Sequence, residues 1–533
     1  MQRVIVDGLI RIPLDADPEF LALVRGHCTF EDPRRRKSYA RGGRDEEFST
    51  ICAAREEDGH LVVPRGIWSD VRDAAKQTGV DLEWHTSVVS VSTRRLPPGE
   101  IRIDGKHEPR DYQTATVEQL LARVQLLVRM PPGAGKTITG ALAIRASGES
   151  ALVLCPTEDI AGQWVTACRS VGLENVRMVT SLGGGRLPSP GDVIIAASAR
   201  ALQSRPELLR SIGMLVVDEA HHAGSRSWGR LVGDCWARFR LALSATPDRP
   251  DGWDVALPFL FGSYYEAISF EELNRRGLLD RPLVVGVATG WENPRSVYPD
   301  VVRCPSCGVV REFWPPEKRG ACPSRRQKEP GGPKTKCGHD LDAVQCTRGR
   351  MNWTKAVAAM SVDANRTGIA IRIARECARL KRLTLLLVGR VDQCEEVAAS
   401  LRRIGVVACA ATGQLKKSER ADMMDDFRAR RFSVLVATQL ADEGLDVPTL
   451  DAVINTAAGK SHGRATQRAG RTTRPTGRRP IYFDLVDKSS EFARQWLGRL
   501  TGYREEYGDD AIYSIKPTSE VAALGVLASL EKK

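Results

Sequence analysis

No stretch of this 533-residue chain is apolar for long enough to span a lipid bilayer. The opening residues also lack the apolar core of a signal peptide, because acidic side chains interrupt them early. Short-period repeats and long low-complexity tracts are absent too. We therefore expect a globular protein of the reducing cytoplasm.

Cysteines spaced as a disulfide framework are also scarce. Most of the thirteen cysteines stand singly in apolar segments, where a cysteine behaves as a small buried hydrophobe, and this agrees with a reducing compartment. Acidic side chains are outnumbered, and the net charge of +12 with a pI near 9.2 indicates a polyanionic partner. That partner is nucleic acid or an anionic membrane surface, since charge alone does not distinguish them.

The length is too great for one hydrophobic core, so several domains are expected. Apolar runs typical of strands buried on both faces of a parallel sheet alternate with helical patterns in residues 107–290 and again in 353–533. The predicted fold class is therefore α/β, with two tandem doubly wound parallel-sheet domains, the second ending in C-terminal helices. Residues 1–106 predict a small α+β module, and the Cys-rich, basic segment 291–352 fits neither neighbour.

A phosphate site is predicted in the segment VRMPPGAGKTITGALAI, which follows a predicted strand and opens a predicted helix. Gly133 and Gly135 let the backbone curl so that N–H groups face a phosphate. Lys136 reaches the terminal phosphates, and Thr137 is suited to ligate Mg²⁺. The segment departs from the general G-x-x-x-x-G-K-[ST] pattern at Met130, which replaces the first glycine.

Two acids and two histidines follow another predicted strand, in LVVDEAHHAG. Imidazole ligation of a transition metal is one interpretation, but adjacent histidines on a turn diverge and no third soft ligand is nearby. In a P-loop protein, an acid at the end of a neighbouring strand holds Mg²⁺, and the next acid orients and deprotonates the attacking water. Asp218 and Glu219 suit these two roles, so we interpret the stretch as the carboxylate pair of an ATP site.

Five motifs, taken in order, resemble a known family. MPPGAGKT, VVDEAHH, LSATP, VLVATQLADEGLDVP and QRAGRTTR follow the order of motifs I, II, III, V and VI of the superfamily 2 helicases, and RDYQ precedes them in the place of the Q motif. Within that superfamily the chain is most similar to the DEAH-type branch that contains XPB, UvsW and RadD. The resemblance covers residues 107 to 510 approximately and implies two RecA-like domains and ATP hydrolysis coupled to movement on DNA.

The resemblance also implies roles for individual residues. Ser244, Thr246 and His221 would couple hydrolysis to movement between the domains, and Arg471 and Arg474 would act as arginine fingers. The implied catalytic set is Lys136, Asp218, Glu219, Gln467, Arg471 and Arg474. The implied nucleotide-binding set is Arg110, Gln113, Gly133, Ala134, Gly135, Lys136, Thr137, Gly444 and Asp446, with Thr137 and Asp218 at Mg²⁺.

A motor must also hold a phosphate backbone, and hydroxyls or helix-start N–H groups do this without base specificity. We interpret residues 1–106 as an N-terminal DNA-binding module, whose basic run at residues 33–44 is either a solvated loop or a phosphate-binding arm. The expected nucleic-acid contacts are Pro156, Thr157, Ser198, Thr412, Thr438, Arg35 and Arg36.

Four cysteines in the basic segment are spaced for a metal. Cys304 and Cys307 stand in CPSCG, a tight turn that presents two thiolates, and Cys322 and Cys337 follow beside Pro or Gly. We expect a structural Zn²⁺, because so small and apolar-poor a piece needs one to fold. His339 or Cys346 are alternative later ligands.

The sequence thus predicts an ATP-dependent DNA helicase or translocase with ATP, Mg²⁺ and structural Zn²⁺ as cofactors. The expected partner is single-stranded, forked or branched DNA in repair, recombination or replication, with 3′ to 5′ tracking, no membrane partner and a cytoplasmic, nucleoid-associated location. The alternatives are an RNA helicase, a duplex translocase of a defence or nuclease complex, and a clamp that uses ATP only as a switch.

Overall fold

The computed structural model describes most of the chain. No helix in these residues is both long and apolar enough to cross a membrane. The described residues are 2–33, 50–90, 95–179, 188–197, 202, 206–249, 251–315, 321–322, 325–327, 334–342, 344–415, 417–438, 450–456 and 462–531.

The N-terminal module is a mixed sheet covered by two helices. Its strands alternate buried and exposed side chains, and the two amphipathic helices close a small core that includes Phe20, Val63 and Val71. The predicted strand, turn and helix in HLVVPRGIWSDVRDAA are present. In sheet order the strands are Arg55–Glu57, His60–Pro64, Leu9–Pro13, Gln2–Val6 and Leu82–Thr86. A separate pair of strands is formed by Thr29–Glu31 and Thr50–Cys52. The helices are Pro18–His27 and Trp68–Thr78, with a 3₁₀ turn at Arg65–Ile67.

The first large domain, here called the first lobe, is a seven-stranded parallel sheet with helices on both faces. Three of its central strands, Ala151–Leu154, Met214–Asp218 and Phe239–Ser244, are buried along their whole length, which explains their apolar runs. In sheet order the strands are Val176–Val179, Val193–Ala196, Ala151–Leu154, Met214–Asp218, Phe239–Ser244, Gln125–Arg129 and Tyr264–Glu266. The helices are Asp111–Arg123, Lys136–Ser147, Glu158–Ser170, Pro206–Leu209, Arg226–Asp234, Leu257–Phe261 and Phe270–Arg275, with 3₁₀ turns Pro98–Glu100, Ala220–Gly224 and Trp253–Ala256.

The second lobe is a six-stranded parallel sheet. In sheet order its strands are Leu283–Ala288, Ile481–Val486, Ala452–Asn455, Thr384–Val388, Val434–Thr438 and Ala408–Ala411. The helices are Trp353–Ser361, Ala364–Arg379, Val391–Arg403, Lys417–Arg428, His462–Ala469, Ser490–Tyr507 and Glu520–Leu530, with 3₁₀ turns Gly470–Thr472 and Asp509–Ala511.

The boundary between the lobes differs from the one predicted. Residues 283–288 were assigned to the first domain, but they pair in parallel with residues 481–486 as an edge strand of the second sheet. Buried parallel strands of the two lobes have the same apolar pattern, so the sequence does not reveal to which sheet a strand belongs. The Cys-rich segment therefore interrupts the second lobe after its first strand.

The inserted segment forms a small module with little apolar core. Three antiparallel strands, Asp300–Arg303, Val310–Phe313 and Thr347–Arg348, make its sheet, Arg325–Gln327 pairs with Lys334–Lys336, and Arg295–Val297 is a 3₁₀ turn. Its neck packs on the second lobe, where Trp291 and Phe492 meet edge to face at 5.6 Å between ring centroids.

The predicted fold class, two tandem RecA-like parallel-sheet domains, is confirmed.

The N-terminal module is fixed to the first lobe by two buried arginines. Arg65 donates to the carbonyls of Ala237, at 2.6 Å, and Arg238. Arg240 donates to the carbonyls of Gly8 and Cys235, both at 2.7 Å. Burial lowers the pKa of both guanidinium groups, so these carbonyl contacts offset part of the cost of desolvating two cations.

Candidate nucleotide site and cysteine centre

The predicted phosphate loop joins a buried strand to a helix. Gly133 and Gly135 have φ of +83° and +87°, a left-handed conformation that strains any side chain. Met130 has no such φ and is fully buried, so this position needs no glycine. Lys136 and Thr137 are half-exposed at the start of the helix, where backbone N–H groups favour an anion.

Asp218 ends a strand that lies two positions from the P-loop strand in the same sheet. Because the strands are parallel, its carboxylate and the P-loop emerge at one edge. Oδ2 accepts a hydrogen bond of 2.7 Å from the Trp164 indole, and Oδ1 accepts one of 2.9 Å from the Glu219 N–H. Burial and the charge of Glu219 raise the pKa of Asp218 to about 6, whereas Trp164 and Lys136 oppose the rise. The indole bond therefore favours the ionised carboxylate, against the effect of burial.

Glu219 has an unusual backbone, with φ of 49° in the left-handed region. Such backbone conformations are costly, and they occur at functional sites where the surrounding fold enforces them. Its Oε2 lies 3.5 Å from Nδ1 of His221, whose ring is tilted against that of His222 at 4.4 Å. Among the described residues, the side chains that converge as a metal-binding group of three or more are cysteines elsewhere in the chain, so the imidazole interpretation is not supported here.

Trp164 is a site residue that the sequence analysis did not single out. Its fully buried indole lies over Gly140 of the P-loop helix, at the place where a β-carbon would otherwise stand. The glycine thus makes room for the ring that positions Asp218. Trp164 lies seven residues after the predicted contact Thr157, in the stretch GQW.

The segment that carries the predicted arginine fingers lies against the P-loop. A β-carbon on Gly470 would stand 2.5 Å from Cβ of Pro132, and one on Gly133 would stand 3.5 Å from Oγ1 of Thr473. Arg471 lies in this 3₁₀ turn and Arg474 follows it, both half-buried. The two lobes therefore share one cleft, with motif I on one wall and motif VI on the other.

Ion pairs join the lobes around this cleft. Arg129, at the end of the P-loop strand, contacts Glu506 of the helix 490–507 at 3.1 Å. The Glu506 side chain is 6% exposed, and burial raises its pKa while Arg129 and Lys136 oppose the rise. A second ion pair joins Arg420 of the second lobe to Asp159 of the first lobe at 3.1 Å, and its side chains are more exposed to solvent.

The Q-type residues bind the P-loop backbone. The Gln113 amide accepts from the Arg110 N–H at 3.0 Å and donates to the Gly135 carbonyl at 3.4 Å. Tyr112 donates to the Ala134 carbonyl at 2.8 Å. Both functional ends of the Gln113 amide thus have protein partners in this structure, and adenine reading by Gln113 stays a prediction.

The predicted coupling residues lie beside both motifs. Ser244 ends the strand between the P-loop strand and the Asp218 strand, and its carbonyl accepts from the Met130 N–H at 3.1 Å. Its hydroxyl is fully buried without a hydrogen-bond partner among the described residues. Thr246 is buried two residues on, and the carbonyl of His221 accepts from Arg249. Ser244 is thus bonded to the start of the P-loop, and His221 of the motif II turn is bonded to the segment after motif III.

The predicted nucleic-acid contacts are only partly accessible. Pro156 and Thr157 are half-exposed, although the Thr157 hydroxyl caps its helix by accepting from the Ile160 N–H. Thr412 and Thr438 are buried in the second lobe. Arg35, Arg36, Ser198, Gly444 and Asp446 lie outside the described residues, as does the side chain of Gln467.

The four predicted cysteines form one cluster. Their sulfur atoms all lie within 4.8 Å of one another, with Cys304 and Cys337 at 3.7 Å and Cys307 and Cys322 also at 3.7 Å. A tetrahedral ion with Zn–S bonds of about 2.3 Å has sulfur–sulfur edges of about 3.8 Å, so the cluster fits zinc. Neither alternative ligand, His339 or Cys346, belongs to the cluster.

Backbone turns shape the cysteine cluster. The Gly308 N–H donates to the Cys304 carbonyl at 2.8 Å, and the Gly338 N–H donates to the Cys322 carbonyl at 3.0 Å. Both glycines have positive φ. The first bond closes a tight turn after Cys304, whereas the second joins two separate segments of the module. The His339 N–H lowers the pKa of the Cys337 thiol, whereas burial raises that of Cys304 to about 11.

Comparisons with known proteins match both lobes. Residues 106–249 match the family described as type III restriction enzyme, res subunit, and residues 370–476 match the helicase conserved C-terminal domain. The XPB2 protein of Sulfurisphaera tokodaii, named as a DNA 3′-5′ translocase, is 23% identical over 73% of this chain and 83% of its own length. A Rad25 protein of Haloarcula marismortui, named as a DNA 3′-5′ helicase, is 27% identical over 86% of this chain.

This chain spans 65% of the length of the Haloarcula relative and 47% of a helicase from a Sulfolobus islandicus filamentous virus. Among solved structures, S. cerevisiae Dbp5 bound to RNA and ADP BeF3 matches with a TM-score of 0.52 and 15% identity, covering 80% of this chain and 94% of that one. Such a likeness concerns the fold of the paired lobes.

Proposed function

We propose, on the premise that this chain belongs to the superfamily 2 helicases and has XPB-like relatives, that it is an ATP-driven DNA translocase and helicase. We further propose 3′ to 5′ movement and action on forked or branched DNA. The observation that carries the proposal is the packing of motif VI against the P-loop, where Gly470 contacts Pro132. That contact supports a nucleotide cleft formed by residues of both lobes.

The chemistry of hydrolysis follows from the side chains of the cleft. Lys136 binds the terminal phosphates, and Glu219 accepts a proton from the attacking water. Arg471 and Arg474 offset the charge that develops on the transferred phosphoryl group. Mg²⁺, when held by Thr137 and Asp218, neutralises phosphate charge. Trp164 keeps the Asp218 carboxylate oriented toward the cleft.

Movement follows from the fact that the two walls of the cleft belong to different lobes. Nucleotide contacts with both walls stabilise the closed arrangement, and loss of the γ-phosphate removes part of that stabilisation. Ser244 is suited to transmit the change, because its strand ends between Asp218 and the P-loop. Alternating closure moves a bound strand if each lobe holds its phosphates.

DNA is favoured as the substrate by the names of the relatives, a DNA translocase and a DNA helicase. The positive net charge agrees with a nucleic acid of either kind. We also propose that the four cysteines hold a structural Zn²⁺, because their sulfur spacing matches a tetrahedral centre.

The function is tested by ATPase activity across single-stranded, duplex and forked DNA and matched RNA, together with strand displacement on forks. We expect stimulation by DNA above RNA and displacement of a fork whose loading strand gives 3′ to 5′ movement. Preferential stimulation by RNA would establish the RNA helicase alternative. Duplex stimulation with triplex displacement but no strand separation would establish a duplex translocase.

A matched pair of variants tests the site assignment itself. Lys136→Ala should weaken Mg-ATP binding, because it removes the phosphate-binding ammonium group. Glu271→Gln, an exposed acid of the same lobe, should bind and hydrolyse ATP like the wild type. Unchanged ATP affinity in Lys136→Ala would show that nucleotide binds elsewhere, and turnover by the wild type excludes the switch-only clamp.

A further inference from the structure

One tryptophan is exposed at the base of the inserted module. The chain has ten tryptophans, all within the described residues, and Trp353 is the only one classed as exposed, at 41%. One face of its indole stacks on Phe492, with ring centroids 5.2 Å apart and an interplanar angle of 30°. The exposed area therefore belongs to the opposite face and the edges, which no described residue covers by stacking.

The first turn of the same helix also carries a lysine that contacts a second tryptophan. Lys355, two residues after Trp353, places its ammonium 4.0 Å from the ring centroid of Trp314. Asn352 caps the helix by accepting from the Lys355 N–H at 3.0 Å, which fixes the first turn. We name Trp314, Trp353 and Lys355 the aromatic platform. It combines flat apolar surface with a cation.

The base beneath the platform is rigidly held. Asn293 donates to the hydroxyl of Tyr298 at 2.9 Å, and that hydroxyl donates to Glu491 at 3.2 Å. The Asn293 N–H donates to Ser489 at 2.8 Å. The neck of the insertion is thus bonded to the start of the helix 490–507, which carries Phe492 beneath Trp353.

The charge around the platform indicates the class of partner. Residues 291–352 contain twelve Lys or Arg against seven Asp or Glu. Exposed cations here include Arg303, Arg348 and Arg350. A basic surface with an uncovered aromatic face suits single-stranded nucleic acid, whose unstacked bases offer π faces and whose phosphates carry the charge.

We propose that the aromatic platform is an accessory binding site for single-stranded nucleic acid, with a base stacked on Trp353 and a phosphate paired with Lys355. The site deepens the proposed motor function and rests on it. A duplex keeps its bases stacked inside, so the platform distinguishes a separated strand from an unopened one.

The platform is connected to the nucleotide cleft by one helix. Phe492, beneath Trp353, lies in the first turn of the helix 490–507, and Tyr507 ends it. Tyr507 donates to the Thr466 carbonyl at 2.6 Å and lies beside Gly470 of motif VI. Fifteen residues of helix span about 22 Å. A strand held at the platform is therefore attached to the same rigid element that contacts motif VI.

The test measures binding of a fluorescently labelled oligothymidylate to the full chain by anisotropy, without nucleotide. We expect Trp353→Ala to weaken binding at least about fivefold, because one stacked base is lost, and Trp353→Phe to lie between it and the wild type. Lys355→Ala should reduce the salt dependence of binding, whereas Trp353→Ala should not. The matched control is Val362→Ala, another exposed apolar residue just past the same helix, which should bind normally.

Failure of this site and failure of the motor proposal give different results. Equal affinity of Trp353→Ala and wild type, with unchanged circular dichroism and zinc content, would overturn the platform even if DNA stimulates the ATPase. Absence of oligothymidylate binding by the wild type would overturn it as well. Normal oligothymidylate binding at the platform with no ATPase stimulation by any nucleic acid would instead contradict the proposed motor function.

Discussion

The nucleotide cleft and the cysteine cluster both gather a few ligating side chains, but they are held in place differently. Asp218 ends a fully buried strand, and the Trp164 indole fixes one of its oxygens at 2.7 Å. Among its described residues, the cysteine module has four buried core residues, Val302, Cys304, Cys322 and Leu341, and two of these belong to the cluster itself. The sheet positions the first site, whereas the second site is a large part of its own core.

The two sites differ in whether the surrounding structure folds before its ligand binds or together with it. A large parallel sheet stabilises itself by apolar burial and can present a carboxylate before any ligand arrives. A small module with so little apolar area gains its folding free energy from metal binding. We therefore expect ligand removal to leave the cleft intact and to unfold the cysteine module.

The largest expected effect is the loss of zinc in Cys304→Ser. Removing one thiolate from four leaves an incomplete tetrahedron, so the module should lose its metal and its protection from proteolysis, while nucleotide still binds the first lobe. Metal analysis and limited proteolysis check this. Cys346→Ser is the matched control, because Cys346 packs against the module outside the cluster. Stoichiometric zinc in Cys304→Ser would contradict the ligand assignment.

The next effect, on hydrolysis alone, is that of Glu219→Gln. The amide keeps the shape of the side chain but accepts no proton, so turnover should fall about 10²–10⁴-fold. Mg-ATP binding should persist, because the neighbouring Asp218 carboxylate is held by the fold. Single-turnover hydrolysis and equilibrium binding separate the two steps. Full turnover in this variant would mean that another group is the base.

A smaller effect is expected for Trp164→Phe, which tests how far the scaffold positions Asp218. Loss of the N–H donor leaves a buried oxygen without its partner, at a cost of about 1–3 kcal/mol. The pKa of Asp218 rises further, because a bond to the charged form is lost. Affinity for Mg-ATP should therefore fall several-fold near neutral pH, and the deficit should narrow as pH rises. Trp236→Phe, a half-buried tryptophan elsewhere in this lobe, is the control.

Sequence patterns predicted the local segments of the cleft better than the contacts between residues that are far apart in sequence. The glycine conformations of the P-loop and the convergence of the four cysteines agree with the sequence patterns, and the roles of Asp218 and Glu219 stay predictions. Trp164 was missed, because its contact with Asp218 spans 54 residues of sequence. The strand 283–288 was assigned to the wrong sheet for the same reason, since strand pairing is a long-range property.

The smallest effect is expected where the lobes meet at their exposed edge. Arg420 and Asp159 are paired at 3.1 Å, with side chains 30% and 40% exposed, so water screens the attraction. Arg420→Ala should change the free energy of unfolding by less than about 1 kcal/mol and leave ATP turnover near the wild-type rate. Arg129→Ala should cost more, because it leaves the buried Glu506 carboxylate without its cation. Denaturant unfolding of both variants tests the ranking. A larger loss in Arg420→Ala would show that the exposed pair, rather than the buried contacts at the P-loop, holds the lobes in register.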